Sequence, residues 1–320
     1  MKVLFASDLH GKRELYETLF RTAENLAADL VILGGDLFPS WIPNPITLIR
    51  GTVEFGKDLD DQIAFLKDYL SPALSRFLDK HPDMRLLYIP GNHDWTATMD
   101  LFKDMLPDAS CLHLREVILE GHVYIGYGCV TDSSFWVKDY VRRDTPGSSY
   151  VHSRYALVSS NHGLTKSENG SYALQRSSME EELSSVNIQV PGKTICVFHC
   201  PPFDTGLDTL FDGSPIGSKA VRSFIERHQP LISLHGHIHE APYLSGFFHT
   251  AIGKTIAINP GHGPAGLHAV LFDTEDPTGT LQHTIFGRSI PKRSDMSGFV
   301  DTRARRVKAY FMDTVLTKKQ

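Results

Sequence analysis

Lys2-Val3-Leu4-Phe5-Ala6-Ser7-Asp8-Leu9-His10 and, further on, Leu30-Val31-Ile32-Leu33-Gly34-Gly35-Asp36 repeat one pattern: a short apolar run that ends abruptly in acidic or imidazole side chains. Between them, residues 12–28 place Leu15, Leu19, Phe20, Ala23 and Leu26 at the spacing of one helical face. Strand, helix and strand make a βαβ unit, whose right-handed crossover sets the two strands parallel. Asp8 and Asp36 then leave the same carboxyl edge, where open α/β sheets bind ligands.

The pattern recurs down the chain. Arg85-Leu86-Leu87-Tyr88-Ile89-Pro90 reads as a third strand and runs directly into Gly91-Asn92-His93-Asp94. Asn and Asp after a glycine are ordinary turn formers, so this tetrapeptide gains meaning only from its company. Thr194-Ile195-Cys196-Val197-Phe198 precedes His199, and residues 231–234 precede His235-Gly236-His237-Ile238-His239. Residues 58–78, which Pro72 kinks or divides, 97–106 and 217–228 have helical spacing. Glu116–Leu119 and Val123–Gly126 form a hairpin around Glu120-Gly121-His122, so the sheet is mixed. Strands near 255–258 and 268–273 flank the Asn259-Pro260-Gly261 turn, and Asp276-Pro277-Thr278-Gly279 reads as another hairpin turn. Residues 37–56 read as a long loop beside Asp36, and 131–190 as an irregular excursion, a lid or a solvated insertion, with an acidic helical stretch at Met179–Leu183.

Composition narrows the class. The 320 residues carry a net charge of −5, with nine Lys/Arg against three Asp concentrated in residues 288–320. The rest of the chain is therefore a poor nucleic-acid platform. Residues 289–320 read as a basic, amphipathic helical tail, and residues 1–288 as one domain. Four scattered cysteines lack metal-finger spacing and point to a reducing compartment. The apolar N-terminus is too short for a signal peptide and no stretch reaches membrane-spanning length, so the expected location is the cytoplasm.

A lone histidine is usually structural, and most of the sixteen here receive no role. Coincidence at successive strand ends is another matter: Asp8, His10, Asp36, Asn92, His93, His199, His237 and His239 all converge on one edge. Imidazole, carboxylate and amide oxygen without thiolate suit Mn, Fe, Zn or Co rather than a soft metal. Seven ligands make two ions, with Asp36 as the shared anion. A hydroxide held between such ions is a nucleophile near neutral pH, and in-line attack on a phosphoester is the reaction they serve best. His93 is then the general acid for the departing oxygen, with Asp94 holding its ring.

Asp8-x-His10, Gly35-Asp36, Gly91-Asn92-His93-Asp94, His199 and Gly236-His237-x-His239, taken as an ordered set, resemble the five-motif signature of calcineurin-like metallophosphoesterases. The resemblance implies a four-layer α/β/β/α sandwich of two mixed sheets. It also implies one ion held by Asp8, His10, Asp36 and His239 and another by Asp36, Asn92, His199 and His237. Ser133-x-Phe135-x-x-Lys138-Asp139, Phe198-His199-Cys200-Pro201-Pro202 and Gly217-Ser218-x-Ala220-Val221-Arg222 resemble a prokaryotic subgroup related to class III phosphodiesterases. The expected protein is a dinuclear-metal phosphodiesterase acting on a small phosphoester, with nucleotides among the candidates. A phosphomonoesterase or protein phosphatase is the alternative, with a DNA nuclease or a metal-bound scaffold behind it. Trp41, Lys138, Arg142 and His262 lie in neighbouring loops and receive no assignment.

Overall fold

The computed structural model describes residues 1–40, 54–151, 156–167 and 171–288. In chain order its strands are β1 (Lys2–Ala6), β2 (Leu30–Leu33), β3 (Arg85–Tyr88), β4 (Ala109–Cys111), β5 (Glu116–Leu119), β6 (His122–Tyr127), β7 (Val130–Thr131) and β8 (Val141–Arg142). They continue with β9 (Ala156–Ser160), β10 (Gly163–Ser167), β11 (Thr194–Phe198), β12 (Ile232–Leu234), β13 (His249–Ile252), β14 (Thr255–Ile258), β15 (Ala269–Asp273) and β16 (Gln282–His283). The first sheet runs β16-β15-β1-β2-β3-β4 and the second β13-β14-β12-β11-β6-β5. Both are mixed. β1 to β4 are parallel, with β15 antiparallel to β1, while β6, β11, β12 and β14 are parallel, with β5 and β13 antiparallel at the edges.

The alternation of side chains along each strand explains the layers. Val3, Phe5, Ile32 and Leu87 of the first sheet meet Tyr124, Ile195, Val197 and Leu234 of the second in one buried cluster. Each such fully buried side chain contributes roughly 1.5–3 kcal/mol relative to exposure. The alternate residues face helices: Leu4, Leu33 and Tyr88 pack with Tyr16, Leu19 and Phe102, and Cys196 and Phe198 with Val221 and Phe224. The result is the expected four-layer sandwich.

Several elements depart from the sequence reading in detail. The helical stretch around Pro72 is divided into Gly56–Phe65, a π-turn at Leu66–Leu70, and Ser71–Lys80. Pro72 has no N–H to return to residue 68, and widening the preceding turn accommodates the missing bond. β4 and β13 have no counterpart in the sequence reading. The turn at Asp276–Gly279 forms as the short helix Pro277–Thr280 between the antiparallel β15 and β16. Within 131–190, β9 and β10 make a hairpin and Met179–Ser184 is a helix with a Ser178/Glu181 capping box. Most of the loop at 37–56, including Trp41, and the basic tail lie outside the described residues.

Candidate metal centre

The loops after β1 and β2 stay zipped beyond the sheet. Asp8 N donates to Gly35 O at 2.9 Å, His10 N to Asp36 O at 2.8 Å and Gly11 N to Leu37 O at 3.0 Å. Tyr16, from the helix Arg13–Leu26, donates its hydroxyl to Leu37 O at 2.7 Å and braces the pair. Asp8, His10, Asp36 and His237 have φ values of 60°, 46°, 52° and 66°, left-handed backbone that L residues rarely adopt. Such strain persists where surroundings enforce it, and it gathers at functional sites.

The first sheet supplies Asp8, His10, Asp36, Asn92 and His93, and the second supplies His199, His237 and His239, so the cluster spans the seam between them. One donor atom from each of Asp8, His10, Asp36 and His239 lies within 4.8 Å of the others. Within this group His239 Nε2 is 3.0 Å from Asp8 Oδ1 and 3.2 Å from His10 Nε2. Asp36 looks both ways: its Oδ2 is 3.8 Å from His10 Nε2 and 3.5 Å from His199 Nε2, while Oδ1 accepts from His93 N at 2.8 Å.

The second group is built differently. His199 Nδ1 donates to Gly34 O at 2.7 Å, which fixes the ring and turns Nε2 into the cluster. His237 N donates to both carboxylate oxygens of Asp8, and its ring centroid is 5.4 Å from that of His199. Asn92 Oδ1 and His199 Nε2 are among the few buried side-chain polar atoms with no hydrogen-bond partner among the described residues. An unsatisfied buried acceptor costs about 1–3 kcal/mol. Asn92 Oδ1 offers a lone pair to a cation and His199 Nε2 does so once its proton leaves, so the residues present fit a second ion.

Titration reflects the crowding. Burial alone would raise Asp8 and Asp36; the neighbouring imidazoles outweigh it, His239 for Asp8 and His93 with His199 for Asp36, and both carboxyls lie below their ordinary range. Burial lowers His10 and His93 and pushes His237 down to about 3, whereas the Asp36 carboxylate overcomes burial at His199 and holds it up at about 9. Neutral imidazoles and ionised carboxylates are the ligand forms, so His10, His237 and both carboxyls are already in that state, whereas His199 gives up its Nε2 proton when a cation takes its place.

His93 is partly exposed, with its ring centroid 5.1 Å from His10 and 4.4 Å from Phe135 of the 131–190 excursion. The expectation for Asp94 needs correction. Its Oδ1 accepts from Leu37 N at 2.9 Å and Phe38 N at 3.1 Å, and its Oδ2 from Gly91 N at 2.8 Å. Asp94 thus ties the Asp36 loop to the Asn92 loop and does not hold the His93 ring. Burial and then the Asp36 charge push its carboxyl up to about 8.

Lys138 is paired with Asp132 at 2.8 Å and Arg142 with Glu182 at 2.8 Å, so both are structural. His262 is a residue that sequence reading left unassigned and the structure brings in. Its ring lies 5.2 Å from His239, and its Nε2 is 2.7 Å from Lys12 Nζ.

A carboxylate–imidazole–amide cluster at the carboxyl edges of two facing sheets defines a metal-dependent phosphoester hydrolase. The family model for calcineurin-like phosphoesterases matches residues 1–241, and the chain belongs to that family. No curated protein matches it. Among solved structures it is similar to TT1561 of Thermus thermophilus, with 19% identity over 88% of this chain and 97% of that one and a TM-score of 0.49. A second solved structure shares 17% identity over 88% and 97% of the two chains, with a TM-score of 0.51, a likeness of fold. An archaeal phosphodiesterase shares 11% identity over 88% and 98%, with a TM-score of 0.40. No helix among the described residues is long and apolar enough to cross a membrane.

Proposed function

We propose that the chain is a phosphodiesterase whose two ions, drawn from Mn, Fe and Zn, are held by Asp8, His10, Asp36 and His239 on one side and Asp36, Asn92, His199 and His237 on the other. The observation that carries this reading is the pair of orphaned buried polar atoms, Asn92 Oδ1 and His199 Nε2, the latter 3.5 Å from an Asp36 carboxylate that also faces the first group. The ions supply Lewis acidity toward phosphate oxygens and a nucleophile derived from water. Asp36 keeps the two groups together, and the His199–Gly34 bond keeps one imidazole in ligand form. His93 donates the proton that the departing ester oxygen takes; burial makes its imidazolium a stronger acid than a free one.

Diesters suit the charge balance better than monoesters. A monoester brings an additional negative charge, yet the cations nearest in sequence to the excursion are spent elsewhere. Lys138 serves Asp132, Arg142 serves Glu182, and Arg143 donates to the carbonyls of Ala173, Pro146 and Arg176. Phe135 against His93 gives the leaving group an aromatic wall, and this contact supports reading 131–190 as a lid over the site. The substrate is then a small phosphoester with an aromatic leaving portion, for which a nucleotide is the natural class. Cys129, Cys196 and Cys200 are buried free thiols, in keeping with the reducing cytoplasm.

The test compares an aryl phosphodiester with its monoester after reloading stripped protein with each metal. Diester preference is expected, and preference for the monoester would make the chain a phosphatase. His93→Ala should retain both ions by elemental analysis while losing roughly 10²–10⁴-fold in kcat, most for poor leaving groups. Undiminished turnover of those substrates would remove His93 from the mechanism.

A further inference from the structure

The loop after β14 brings Asn259-Pro260-Gly261-His262 to the cluster and is anchored at every step. Asn259 Nδ2 donates to the carbonyls of Leu207, Gly236 and Ile238 at 2.8, 3.2 and 3.1 Å. Pro260 O accepts from His268 Nδ1 at 3.2 Å and His283 Nε2 at 3.0 Å. Gly261 has φ +70°, and a Cβ there would stand 2.7 Å from His239 O, so neither the conformation nor the space admits a side chain. His262 N donates to that same carbonyl at 3.0 Å. Its imidazole is buried, 5.2 Å from the His239 ring and 6.0 Å from the His10 ring.

The Nε2 atom of His262 meets Lys12 Nζ at 2.7 Å. An ammonium only donates, so Nε2 is the acceptor and the imidazole proton sits on Nδ1. A long lysine side chain that starts on the surface is thereby directed to the rim of the ligand group. The imidazole that meets the ammonium also lies 5.2 Å from the His239 ring and 6.0 Å from the His10 ring, so the positive charge is held beside the ligand group.

We infer that Lys12, met by His262, is a specificity-determining residue that binds a second anionic group of the substrate, a carboxylate or phosphate on the part of the substrate that lies toward His262. The inference rests on the phosphoesterase reading of the site and adds a substrate class to it: phosphoesters that carry a further negative charge on the portion held at the His262 side. The charge of Lys12 then contributes most when it meets that group, because a charge-assisted hydrogen bond is stronger than a neutral one.

The test is calorimetric binding of phenylphosphonate and 4-carboxyphenylphosphonate to protein loaded with its two ions, neither probe being hydrolysable. The carboxylated probe is expected to bind roughly tenfold more tightly. Lys12→Met should equalise the two, Lys12→Arg should retain most of the difference, and His262→Leu should reduce it by removing the imidazole that meets Lys12 Nζ. Thermal melts establish that each variant is folded, and exposed Lys12 makes its variants the decisive ones. Equal affinities in the unaltered protein, or a preference that survives Lys12→Met, would overturn the assignment while leaving the metal centre standing. Failure of both phosphonates to bind would instead count against the proposed two-ion site, and this inference would fall with it.

Discussion

Gly91 is where one hydrogen atom decides whether the centre assembles. A Cβ at this position would fall on the backbone N and Oδ1 of Asp36, the carboxylate that faces both ligand groups. Gly91→Ala is therefore expected to displace Asp36 and to lower bound metal from two ions to one or none by elemental analysis. Full occupancy in a folded Gly91→Ala protein would contradict the shared role of Asp36. The proposed ligands are legible in the sequence because each stands just beyond the end of an apolar run, and chain order supplies the rest. Asp94 and His262 were not legible at this scale. Asp94 stands beside His93 in sequence, yet its carboxylate turns to three amide N–H groups, an acceptor demand that belongs to loop geometry. His262 and Lys12 are 250 residues apart, and only the return of β14 to the same edge makes them neighbours.

Among the elements, the loop after β14 yields a prediction with a definite sign. His283 is buried with its Nε2 on Pro260 O, and burial pushes its pKa down to about 3; His268, on the same carbonyl, is pushed down to about 4 by burial. An unfolded histidine takes up its proton near 6.5, so between about 6.5 and these lower values the unfolded chain binds more protons than the folded one. The stability contributed by the neutral rings is complete above 6.5 and is lost as the pH falls toward 4 and then 3. His283→Gln should start with a lower Tm and show a shallower fall of Tm over that interval than the unaltered protein. Parallel curves would mean that His283 does not titrate as described. Elements with clear periodicity, such as Arg13–Leu26 and Lys219–His228, were read within a few residues. β4 and β13 were missed because they are only three and four residues long, and β13 buries one side chain, so alternation has too little length to register.

At the scale of the molecule, the proposed ligands come from two sheets whose facing side chains form one buried apolar cluster. Asp8, Asp36 and Asn92 come from one sheet and His199, His237 and His239 from the other, so ions bound as proposed would act as fasteners across the sandwich. Metal at a hundred times its Kd adds about 2.7 kcal/mol per site, and reloading stripped protein should raise Tm by several degrees. An unchanged Tm on reloading, with uptake confirmed, would mean that the ions stabilise neither face of the seam. The two-sheet arrangement was expected only through family resemblance, since periodicity gives strands but not the number of sheets they join. The division of the centre between the halves also bears on synthesis. The chain emerges from its N-terminus, so the ribosome releases Asp8, Asp36 and Asn92 well before His199, His237 and His239. A nascent or prematurely terminated chain that stops short of residue 239 would hold only part of the proposed ligand set, and hydrolysis would then report that translation has passed that point.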